Sequence, residues 1–295
     1  MAVERLIIQN LRLRARRNKM TQEINLTMSL STTGQMKKVL ENYRDQFTSM
    51  LPSTAGIGVD KIMSTAIEAA GGNSAVLQCS GLSVVSAVKQ ACEFGLTFSR
   101  AFGQAYLVPF KGKCELIIGY RGLLDLARRA TGGEVTMDSE VVYSSDEFSV
   151  EKGTATKIYH KINHTAPRKD EDIIGAYFVA TYPDGRQMVE WMSRDEINLI
   201  RARSKSATSG KPSPWSTDLP AMCRKTVIKR GIKYLPMSSE KARLLEKAIE
   251  HDIITDGIAD EPTVSSKEKA AAIAAELSEE PTSEPMPNDK EDLRI

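Results

Sequence analysis

Residues 105–129 read AYLVPFKGKCELIIGYRGLLDLARR. Two short apolar runs, Gln104–Phe110 and Lys113–Gly119, flank Lys111-Gly112, the spacing of a β-hairpin closed by a two-residue turn. The second run ends in Gly119-Tyr120-Arg121-Gly122 and passes directly into a helical pattern, Leu123 to Ala130, stopped by Thr131-Gly132-Gly133. The stretch holds no nucleophile motif, metal cluster or phosphate-cradling lysine. What it presents is backbone amides, an aromatic ring and cations.

Upstream the periodicity is helical. Lys37–Leu51 spaces Leu40, Tyr43, Phe47 and Met50 as one helix ended by Pro52. Val59–Ala70 is a second, closed by Gly71-Gly72, and Ser83–Phe94 a third, with Ser83 as N-cap, Gly95 beyond its end and Val84, Val88, Ala91 and Cys92 facing inward. Downstream, strand signals fall at Glu134–Tyr143, Glu147–Glu151, Ile173–Thr181 and Gln187–Met192, the last two flanking the turn Tyr182-Pro183-Asp184-Gly185. Ser193 caps a helix, Ser204–Thr217 is a polar loop, Asp218 caps a basic helix to about Leu235, and Ser238 or Ser239 caps a last one to about Ile253. Helices, then strands, then helices predict an α+β fold, a mostly antiparallel hairpin and sheet core packed with helices, and not a Rossmann alternation.

The hydrophobic fraction of 41% and charged fraction of 26% are those of an ordinary globular chain. Cys79, Cys92, Cys114 and Cys223 lie far apart with no C-x-x-C, as expected of reduced core thiols in a cytoplasmic protein. No apolar run reaches the ~18 residues of a membrane span. The net charge of +2 conceals a polarity: His251–Ile295 holds twelve Asp/Glu against four Lys/Arg, or −8, which leaves +10 on the preceding residues. A basic body favours a polyanionic partner. Residues 1–34 read as a flexible basic arm, or as an upstream extension with Met20 and Met28 as alternative starts. Residues 35–254 form the core, and 255–295 a disordered acidic tail with a transient helix near 267–277.

Enzyme motifs fail on inspection. Ser209-Gly210-Lys211-Pro212 lacks the upstream glycine of a Walker A loop and puts proline where Ser or Thr would reach magnesium. Pro183-Asp184 with Glu190 lacks a nuclease lysine, since Met192 holds its place. His160 and His164 have the i, i+4 spacing of a zinc pair without a helix to carry it. What remains is basic and aromatic. Lys111 and Lys113 sit at the hairpin tip, while Tyr120 and Arg121 lie between glycines at a helix start whose amides suit a phosphate. Arg128 and Arg129 end that helix, where they also complement its dipole. Between Arg194 and Lys233 there are ten Arg/Lys against three Asp/Glu, including Arg201, Arg203, Lys205, Arg224, Lys225, Lys229 and Arg230, with Trp215 and Tyr234 interleaved. Cations that track phosphates and rings that stack bases are what single-strand binding requires.

The run Gly95–Gly132 resembles the RecT family of phage and prophage single-strand annealing proteins. The resemblance is carried by Gly95-Leu96, Ala105–Phe110, Ile118–Gly122 and Leu126–Arg128. It continues at Trp191–Ile197, in the Trp215 loop and in Ala221–Arg230, AMCRKTVIKR. It spans roughly Lys37–Ile254; the arm before Met20 has no counterpart, and Cys114 and Cys223 stand inside motifs without a family role. The resemblance implies a non-enzymatic protein that binds single-stranded DNA and the annealed duplex. It implies annealing without ATP or any required cofactor, Mg²⁺ being at most a modulator. It also implies self-association into rings or helical filaments, with an exonuclease, and host single-strand binding protein, as partners. A passive coat on single-stranded DNA is the alternative, and an Mg²⁺-dependent nuclease would need a carboxylate cluster that the strands do not supply.

Overall fold

The computed structural model describes residues 29–153, 156–210, 213–237 and 239–256. The chain divides into a body, Met1–Ile258, and a terminal segment, Ala259–Ile295. That segment, most of the basic arm and the Lys211-Pro212 pair lie outside the described residues. Ser29 bridges to Ser80 and Leu30 is buried, so the fold takes in residues assigned above to the arm.

The first helices are α1 (Thr33–Glu41), α2 (Arg44–Met50), α3 (Val59–Gly71), α4 (Ser74–Leu77) and α5 (Gly81–Phe94). The single helix expected over 37–51 is broken at Asn42-Tyr43, although Leu40 and Phe47 are both buried as its periodicity required. The N-cap of α5 is Ser80, three residues before the one expected. Ser83 turns its hydroxyl to the Ser80 carbonyl at 2.7 Å and accepts the Cys114 amide at 2.8 Å.

That second bond ties α5 to the hairpin of β1 (Ala105–Phe110) and β2 (Lys113–Ile118), paired antiparallel from Ala105↔Ile118 to Phe110↔Lys113. Lys111 and Gly112 take φ of +49° and +77°, both in the left-handed region, as a tight primed turn demands. Ala105, Leu107, Cys114, Leu116 and Ile118 enter the core. Tyr106, Val108 and Phe110 alternate with them and stay exposed, as period 2 dictates. Pro109 faces Cys114, and the outer edge of β2 is covered twice, by Ser83 and by His251 Nε2 on the Leu116 carbonyl at 2.8 Å.

From β2 the chain enters α6 (Tyr120–Ala130) and then a three-stranded antiparallel sheet ordered β3 (Thr136–Tyr143), β6 (Ile173–Thr181), β7 (Gln187–Ser193). A second hairpin, β4 (Glu147–Glu151) and β5 (Lys157–Lys161), carries Phe148 against Trp191 and Tyr177, at centroid distances of 4.6 and 5.8 Å. His160 lies in β5, so the HKINH segment is a strand running into a loop. Its ring sits between Asp146 and the Tyr177 hydroxyl, at 3.2 and 3.3 Å. The "polar loop" contains two short helices, α8 (Lys205–Thr208) and α9 (Pro214–Thr217), between α7 (Arg194–Arg203) and α10 (Leu219–Gly231). A capping box between Ser193 and Glu196 starts α7. The helix α10 packs on the sheet with Gly231 against the Phe178 ring, and α11 (Ser239–Asp256) follows. All four cysteines are free and buried, and burial pushes the Cys92 and Cys114 thiols up to about 12. Mixed helix and antiparallel sheet make this an α+β fold.

Candidate nucleic-acid interface

The Gly-Tyr-Arg-Gly junction is built on close backbone contact. A Cβ at Gly119 would lie 2.3 Å from the Gly103 carbonyl oxygen, and one at Gly122 would lie 2.3 Å from that of Gln104. The backbone that comes close to these two glycines is therefore the protein's own. The preceding turn is clamped in return: the Phe102 and Gly103 amides both donate to the Ser99 carbonyl, at 3.2 and 3.0 Å.

Arg121 is exposed and held over this turn, donating to the Ala101 carbonyl at 3.3 Å and to the Tyr120 hydroxyl at 3.2 Å. It makes no ion pair among the described residues. Tyr120 is half-buried, with Arg224 on its other side, 3.4 Å from the hydroxyl and 5.7 Å from the ring centroid. Burial pushes the Tyr120 phenol up, but hydrogen bonds from the two guanidiniums outweigh it and hold the group below its ordinary range. Tyr106 lies beside them, its hydroxyl near Gly103. Burial pushes that phenol up, Tyr120 and Asp218 add to the effect, and Arg121 and Lys225 oppose it.

Along the outward face of β1 this corner continues through Val108 and Phe110 to the tip, where Lys111 lies 5.4 Å from the Phe110 ring centroid. Lys113, Val108, Phe110 and Ile117 line a cleft of about 670 Å³ that Lys205 and Ile254 help to bound. Lys111, Lys113 and Lys205 are exposed, as are Arg128 and Arg203. Arg201 is half-buried. A strip of rings and aliphatic side chains with cations at both ends is what the hairpin carries outward.

The basic helix behaves otherwise. Instead of a solvated cationic face, α10 is buried at Leu219, Met222, Cys223, Lys225, Thr226, Val227, Ile228 and Gly231. Arg224 pairs with Glu140. Lys225 and Lys229 lie 2.6 and 2.9 Å from the two oxygens of Asp252, whose side chain is 1% exposed. Arg230 bridges Glu190 and Glu196, at 2.5 and 2.8 Å. Trp215 is also corrected. It is 2% exposed with its indole N–H on Ser204 Oγ at 3.1 Å, so its faces belong to the core. Arg129 is a core tie as well, donating to the Phe94 carbonyl at 2.8 Å beside Asp125 at 3.2 Å. Among the described residues, Arg128 has a 4.0 Å pairing with Asp125 and no other ion pair.

A family model described as RecT family matches residues 60–265, which take in α3 from its second residue, the elements from there through α11 and every residue of the strip. The chain belongs to the RecT family. Among its relatives, Protein RecT of Escherichia coli (strain K12) is 41% identical over 175 residues, covering 56% of this chain and 62% of that protein. Uncharacterized protein YqaK of Bacillus subtilis (strain 168) is 25% identical over 148 residues, covering 50% of this chain and 49% of the other. The chain thus matches less than two thirds of the length of either relative.

Within this RecT-family body two features escaped the sequence reading. Phe102 is exposed on the turn whose Ala101 carbonyl Arg121 holds, and a lone phenylalanine in a loop carries no sequence signal of its own. The carboxylates that claim the α10 cations come from β3, β7, α7 and α11. Only folding brings them there.

Proposed function

We propose that this protein binds single-stranded DNA and anneals complementary strands without ATP or any other cofactor, as a non-enzymatic recombination protein of the cytoplasm. The observation that supports the reading best is the strip on β1. It combines Tyr106, Val108 and Phe110 with Arg121 at one end and Lys111, Lys113 and Lys205 at the other. Annealing requires no bond-making residue. It requires cations that hold one backbone extended and a surface that leaves base edges open to a second strand. Base pairing then supplies the sequence specificity, and the protein supplies charge and shape. Self-association into a ring or filament extends the strip along the strand, and an exonuclease that exposes single strands, or host single-strand binding protein, is the expected partner.

The test adds two complementary labelled oligonucleotides in sequence, without nucleotide, and follows pairing. Pairing faster than in the absence of protein supports annealing. Binding without acceleration leaves a passive coat, and cleavage of labelled DNA with Mg²⁺ would establish a nuclease instead.

A further inference from the structure

We propose that Phe102, with Tyr106 beside it, is a base-stacking platform, an inference that rests on the single-strand-binding reading above. Phe102 is 59% exposed and Tyr106 45%, large for aromatic rings on a folded domain. One cation, Arg121, lies against the turn that carries Phe102 and against which the Tyr106 hydroxyl also sits. An added Cβ on Gly103 would meet the Tyr106 hydroxyl at 3.0 Å and Arg121 Cδ at 3.7 Å, while Arg121 Nη1 donates to the carbonyl of Ala101, next to Phe102.

The platform is also preorganised. Phe102 sits in a turn closed by two amides on the Ser99 carbonyl and by Gly103 at φ +59°. The Gly103 carbonyl is wedged against Gly119, and the Gln104 side chain accepts from the Thr97 amide at 3.1 Å and hydroxyl at 3.2 Å. A ring on such a turn gives up little conformational freedom when a base stacks on it. Arg121 is placed to take the adjoining phosphate. The arrangement fits one nucleotide of an unpaired strand, base on ring and phosphate on guanidinium, and is indifferent to sequence because every base has a π-face.

The experiment measures affinity for a mixed-sequence single-stranded oligonucleotide against salt concentration, using the full chain. Phe102→Ala should weaken binding about five- to 150-fold with the salt slope unchanged. Phe102→Trp should keep the affinity, and its emission should be quenched as the oligonucleotide binds. Phe102→Leu, which keeps apolar bulk and loses the π-face, should bind like the alanine variant. The proposal is overturned if Phe102→Ala binds within about twofold of the parent. It is also overturned if Phe102→Leu restores binding in step with assembly size in sedimentation, since the ring would then be a contact between copies. A parent protein that binds no single-stranded DNA would sink the underlying reading instead.

Discussion

Asp252→Asn removes one charge from the best-buried ion cluster among the described residues. In the native protein the carboxylate lies 2.6 Å from Lys225 and 2.9 Å from Lys229. At an effective dielectric of about 20, each ammonium attracts it by about 6 kcal/mol, much of which desolvation of the charged groups takes back. The variant keeps the desolvation of the two lysines and sets an uncharged amide where they had a carboxylate. The expected loss is about 3 kcal/mol, the lower end for breaking a buried pair because the amide oxygen still accepts a hydrogen bond. For a domain of this size that lowers Tm by about 6–12 °C. Burial pushes the Asp252 carboxyl up, but Lys225 and Lys229 more than offset it, so its folded pKa lies below the ordinary value. A depressed folded pKa gives stability that is present in full above the unfolded pKa of about 4 and lost as pH falls through the folded one. The gap between parent and variant should therefore be complete at pH 7 and close in acid. Thermal unfolding of both proteins at stepped pH provides the measurement. A gap under about 1 kcal/mol at pH 7 would refute the claim that this cluster holds α11 to α10.

Arg121→Ala should weaken single-strand binding and lower the salt slope by about 0.7, read from affinity at several salt concentrations; an unchanged slope would take Arg121 off the strip. Lys225→Met should instead cost stability and leave that slope alone, because its ammonium already faces Asp252. Gly122→Ala places a Cβ 2.3 Å from the Gln104 carbonyl oxygen, so the start of α6 must back away. The expected cost, seen in thermal unfolding, is about 1–3 kcal/mol. Trp215→Phe deletes the hydrogen bond to Ser204, and should cost about 1–2 kcal/mol of stability without changing DNA affinity.

What the sequence made legible was local. The primary hairpin could be read because period 2 and a Lys-Gly turn name the same structure, and α7 because Ser193 marks its start as a cap. The strand β5 was missed because only Ile158 and His160 turn inward, too few for an apolar run. At the candidate interface, Tyr120 and Arg121 are chain neighbours and came into view together. Arg224 finds Glu140 84 residues away, and nothing in AMCRKTVIKR announces that its cations are already matched. A motif rich in lysine and arginine reads as a surface until the carboxylates that face it are known. Gly119 and Gly122 follow the same logic: both mark a close approach, but sequence does not say whose backbone approaches.

Both edges of the β1–β2 hairpin bear on what can dock against it. Pro109 gives the outer edge of β1 no amide at that position, while Ser83 and His251 already hold the Cys114 amide and the Leu116 carbonyl on the other side. Strand addition is therefore blocked where an exposed, ring-bearing hairpin would otherwise invite it. What docks at this hairpin therefore meets side chains at those positions, and not free backbone. A backbone ladder forms in register or not at all. Side-chain contacts of this kind can be made and broken one at a time.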